Sequence, residues 1–225
     1  MTEYWGRSES IAEMHLFEAL SSLANLDKNA LADLRNFIDN LDKVGVEKIK
    51  SLYMKLRNDK QQVEDIKALV MEYLVRLGEG LNMKDLYASI ALGLDRIVQL
   101  IDGASYRLYM YIANGYSLND DLYDDLKNFI ETLIQEYNSF YQGLDKLRVD
   151  PKRTIKEMEQ VIKLEEDLDR LYRSYELKMF KKLADNVPAL MLLKDAIDFV
   201  ESIADVIKES AETLRYLALH RAMLA

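Results

Sequence analysis

The sequence predicts an all-α protein: six long helices arranged as two tandem three-helix repeats. Three observations carry this reading. Apolar residues recur in steps of three and four over long stretches, the period of one helix face. Only 8 glycines and 2 prolines occur in 225 residues, so helix-breaking positions are few and easy to read. The order of the stretches in residues 1–114 also recurs in residues 115–225, which reads as one compact duplicated bundle.

Taken in order, Ser10-Ile11-Ala12-Glu13 has the form of a capping box and opens the first helix. Asp27 is expected to cap a continuation of it after a break near Asn25. Gly45 marks a weak point before a long second stretch to Leu77, which Gly78-Glu79-Gly80 ends. A third helix runs from about Lys84 to Ala113, where Asn114-Gly115 supplies a stop. Ser117-Leu118-Asn119-Asp120 begins the fourth. Pro151 follows Asp150 as a first-turn residue, and Pro188 follows a polar break at Asp185-Asn186, both positions that helices tolerate. Three seams make the bundle explicit: Ile90 to Tyr111, Val161-Leu164-Leu168-Leu171-Tyr175, and Leu193 to Ala218.

Composition narrows the function. The apolar share of 49% is too high for a disordered chain. With 30 basic and 39 acidic side chains the net charge is −9, so nucleic acid is not an expected partner. The absence of cysteine excludes disulfides, thiolate metal sites and a cysteine nucleophile, and fits a reducing cytoplasm. Met1 to Arg7 carries no apolar stretch behind a basic one, and no window approaches the roughly 20 apolar residues that span a bilayer. A soluble cytoplasmic protein is expected, peripheral to a membrane at most.

Catalytic signatures are missing. There is no glycine-rich phosphate loop, nucleophile elbow or zinc helix. The two histidines, His15 and His220, have Ala12 and Leu217 three residues earlier, so neither completes the Glu-x-x-His of di-iron bundles. The carboxylates are more informative. Glu165 and Asp169 form one E-x-x-x-D pair, a step round from seam positions Leu164 and Leu168. Glu201 and Asp205 form another, a step round from Val200 and Ala204. Residues four apart share a helix face, so adjacent helices can aim these four acids at one place. Such oxygen-rich sets suit iron, magnesium or manganese. The alternative is neutralisation by Arg170, Arg173 and Lys194; Lys208 and Arg215 interrupt the acidic stripe that Asp198 and Glu212 extend.

The stretch Val161-Ile162-Lys163-Leu164-Glu165-Glu166-Asp167-Leu168-Asp169-Arg170-Leu171-Tyr172-Arg173 resembles the fifth helix of PhoU-like proteins, in the prokaryotic branch of phosphate transport regulators. Leu193 to Asp205 is similar to the last helix of that group, and Asp85 to Val98 to its third. The resemblance implies a cytoplasmic six-helix bundle acting beside an inorganic phosphate transporter or its regulatory partner, without catalysis. It also implies that E-x-x-x-D motifs hold iron or other metals, and carries Glu165, Asp169, Glu201 and Asp205 over as the ligands. The first half departs from that pattern: it offers Ala91-x-x-x-Asp95, and either Gln61-x-x-x-Asp65 or Glu64-x-x-x-Ala68. Metal is therefore expected only in the second half. Two other readings stay open, a metal-dependent phosphate ester hydrolase and a ligand-free helical scaffold. The 14 tyrosines suit a core or a homo-oligomer interface equally well.

Overall fold

The computed structural model describes residues 11–78 and 81–224, which form six helices. The capping box at Ser10 and the Glu79-Gly80 part of the second stop lie outside the described residues. Helix α1 spans Ile11–Asp39 without a break. No Gly or Pro interrupts it, and Asp27, expected as a cap, is fully buried inside it among Leu23, Ala24, Ala30 and Leu31. Helix α2 (Val46–Leu77) starts after Gly45 and stops at Gly78, whose φ of 58° is one that glycine adopts without a Cβ penalty. Helix α3 (Lys84–Ala113) ends as Asn114-Gly115 dictates. The Gly115 φ is 80°, the Gly115 amide donates to the Ile112 carbonyl, and the Tyr116 amide reaches the Tyr111 carbonyl.

The second three helices have polar starts. Asn119 caps α4 (Asp120–Lys146) by accepting from the Leu122 amide at 2.9 Å. Asp150 caps α5 (Pro151–Lys182) through the Arg153 amide at 3.0 Å, with Pro151 in the first turn. Helix α6 (Val187–Leu224) starts with the Asn186 side chain accepting from the Ala189 amide at 3.3 Å.

The helices pack as two matching sets. Within the first, α1, α2 and α3 contact one another pairwise; within the second, α4, α5 and α6 do the same. The sets are joined by α3 against α6 and by α1 against α4. The α3–α6 crossing is close because glycines face it. A Cβ on Gly93 would lie 2.2 Å from the Ser210 hydroxyl, and one on Gly103 would lie 3.0 Å from the Phe199 ring. Burial also repeats at constant spacing. Leu16, Leu20, Leu23 and Leu34 match Leu122, Leu126, Phe129 and Phe140; Leu56, Val63 and Val70 match Val161, Leu168 and Tyr175; Leu94, Ile97 and Ile101 match Val200, Ile203 and Ile207. A single apolar core runs through both sets.

Candidate functional site

All four acids expected as a site lie on the facing helices α5 and α6, but their environments differ. Glu165 sits in the buried seam of α5 itself, while its neighbour Leu164 is only half-buried, so the seam runs through Glu165 rather than beside it. Its Oε1 accepts from Lys208 Nζ of α6 at 2.8 Å, with the carboxylate side chain 8% exposed. Lys208, which interrupts the acidic stripe of α6, is thus the counter-ion of the most buried of the four expected acids, on the facing helix. Asp169 pairs along its own helix with the exposed Arg173 at 2.9 Å. Of the other expected neutralisers, Arg170 bonds Asp167, and Lys194 serves Glu176 and Asp198.

Glu201 and Asp205 form no hydrogen bond or ion pair among the described residues. Partial burial raises the Glu201 carboxyl above its usual range, with the charges of Asp205, Asp169 and Asp198 adding to that shift. Burial likewise raises Asp205, followed by the charges of Glu165 and Asp169, with Lys208 opposing.

A fifth acid, absent from the sequence reading, lies beneath them. Glu136 of α4 is 0% exposed, and among the described residues neither carboxyl oxygen has a hydrogen-bond partner. Burial pushes it well above the ordinary glutamate value, and the charges of Glu165 and Asp205 act in the same sense against Lys208. The signal for it was available. Phe129, Leu133, Glu136, Phe140 and Leu144 step by four and three, so a glutamate occupies a seam position of an apolar face.

The donor chemistry of this set suits a hard divalent cation, but its arrangement does not. Among the described residues no group of three or more acids or histidines is placed to hold a metal ion. An ammonium group, that of Lys208, already lies against Glu165.

The first half answers a question of register. The burial match pairs Lys60 and Glu64 with Glu165 and Asp169, and pairs Asp95, Gln99 and Asp102 with Glu201, Asp205 and Lys208. The motifs expected there were one or more residues out of place: Ala91 is core, and Gln61 and Asp65 bond each other on an exposed face. Lysines fill the first-half seam. Lys67 reaches Asp95 at 3.2 Å, and Lys60 reaches Asp102 at 3.4 Å and Glu64 at 3.8 Å. The bridge between Lys60 on α2 and Asp102 on α3 thus stands where Glu165 on α5 meets Lys208 on α6, with its charges exchanged.

No family model matches the sequence, and no curated protein sequence matches it. Solved structures do match. A PhoU-like protein from Shewanella oneidensis MR-1 aligns with a TM-score of 0.78 at 15% identity, covering 91% of this chain and 99% of the other. PhoU from Pseudomonas aeruginosa gives a TM-score of 0.78 at 15% identity over 93% and 98%. The phosphate transport system regulatory protein PhoU from Streptococcus pneumoniae gives 0.71 at 15% identity over 92% and 96%. These alignments span nearly the full length of both partners, so the chain has the fold of PhoU-like helical bundles.

Proposed function

We propose that this protein is a non-catalytic regulator or accessory protein of inorganic phosphate transport, working at the cytoplasmic side of a transporter or of the transporter's regulatory partner. The observation that carries this reading is the near full-length structural match to proteins described as phosphate regulators. No helix among the described residues is long and apolar enough to cross a membrane, which fits a protein that docks on a transport system rather than forming the conduit. The matched helix contacts and burial registers support an origin by duplication, with residues 1–114 and 115–225 as the two units. Deleting the gene is expected to change phosphate uptake or its control, and affinity capture of the tagged protein is expected to recover a phosphate transporter or its regulator. Unchanged uptake together with no such partner in the capture overturns the reading.

A second reading, cation recruitment by the second half, is favoured by one observation: Glu136, Glu201 and Asp205 form a run of carboxyls without counter-ions. Recruiting Glu165 to a bound iron, magnesium or manganese as well requires Lys208 to release it. The check is metal content of protein purified without chelators. Glu201→Ala and Asp205→Ala are each expected to lower it; equal content in wild type and both variants removes the site, and with it the phosphate ester hydrolase alternative.

A further inference from the structure

The junction of the two helix sets contains a polar arrangement unrelated to the acidic face. Asp27 on α1 is 0% exposed, and among the described residues neither of its carboxyl oxygens has a hydrogen-bond partner. Tyr137 on α4 lies against it, 1% exposed. The Tyr137 hydroxyl donates to the Ala24 carbonyl at 2.7 Å, in the turn of α1 just before Asp27. A phenol has one proton. With that proton committed to Ala24, the hydroxyl offers Asp27 only lone pairs.

An ionised carboxylate is also purely an acceptor, so an aspartate anion and this hydroxyl would face each other as two acceptors in a dry seam. A neutral acid resolves the conflict by donating its own proton. The other elements packed on α1 reinforce this. Asp95 of α3 brings a second negative charge, and its Oδ2 is already engaged by Lys67 of α2 at 3.2 Å and by Gln99 at 2.8 Å. On α4 the next titratable group is Tyr141, itself beside Tyr137. Among the described residues no cation pairs with Asp27. Burial pushes its carboxyl well up; the contact with Tyr137 acts in the opposite sense, and the Asp95 charge adds to burial.

We propose that the seam between the two helix sets is closed by a proton: Asp27 on α1 persists as a neutral acid and bonds the Tyr137 hydroxyl on α4, so that the α1–α4 junction is a pH-sensitive latch. Losing that proton places a bare carboxylate in the seam, and separation of α1 from α4 admits the water that solvates it. The chain Asp27 to Tyr137 to the Ala24 carbonyl joins the first set to the second and closes back on α1.

Above the ordinary aspartate value the unfolded chain sheds this proton while the native protein keeps it. In that window the group makes the folding constant fall about tenfold per pH unit, until the native acid itself ionises. Asp27→Asn, neutral at every pH and still able to donate, removes the term. Urea denaturation of the full chain from pH 5 to pH 7 is therefore expected to show the variant gaining on wild type by about tenfold in folding constant per pH unit while the native acid keeps its proton. Carbon-13 NMR of the wild-type carboxyls is expected to keep Asp27 in its protonated position through pH 7, with faster amide exchange near Ala24 and Tyr137 above its titration. Parallel pH dependence in the two proteins, or an Asp27 resonance already ionised at pH 5, overturns the latch. The NMR measurement on wild type decides the matter even if the variant fails to fold.

Discussion

Lys208 shows how one side chain sets the character of a surface. It reaches from α6 to a glutamate that is nearly closed to water, and a buried carboxylate without a counter-ion is costly. Replacing it with an apolar residue of similar length, Lys208→Met, is expected to lower stability by about 1–3 kcal/mol, measured by urea denaturation at pH 7. Pairing of this kind is hard to read from sequence. Periodicity placed Glu165 next to the seam of α5, but the helix rotates by one position so that Glu165 enters the seam and Leu164 leaves it. Glu136 escapes notice, and Asp27 reads as a cap, for the same reason. Each stands at an apolar step of its helix, and partner helices, not local spacing, decide what such an acid faces.

At the scale of the element, most boundaries follow from local chemistry. The stop at Asn114-Gly115, the caps at Asn119 and Asp150 and the proline-led start of α5 all match what the residues dictate. These need no tertiary information, because a glycine at positive φ or a side chain capping an amide is a property of a few neighbouring residues. The break expected near Asn25 fails on the opposite ground. Asn and Asp are weak helix formers rather than breakers, and the buried leucines on either side hold α1 straight through them. The two caps give a local prediction. Asn119→Ala and Asp150→Ala should each cost about 1 kcal/mol in chemical denaturation, and the losses should add because the sites lie at opposite ends of α4 and share no partner.

For the whole molecule, six helices in two sets were legible from the apolar period and the rarity of glycine and proline, and the structure has them. The register between the sets was not legible. Aligning motifs by their acids put Asp95 against Asp205, whereas the packed faces put it against Glu201. Only burial fixes that choice, since it reports which side of each helix meets its neighbours. The same register exposes the bridge whose charges are exchanged between the halves, Lys60 with Asp102 and Glu165 with Lys208. A body with two matching halves would ordinarily offer a partner two equivalent ways of docking, half a turn apart. Here the matched positions Lys60, Glu64, Lys67, Asp95, Gln99 and Asp102 carry two cations against three acids, while Glu165, Asp169, Tyr172, Glu201, Asp205 and Lys208 carry one against four, so the two approaches differ in charge, and the molecule has a heading.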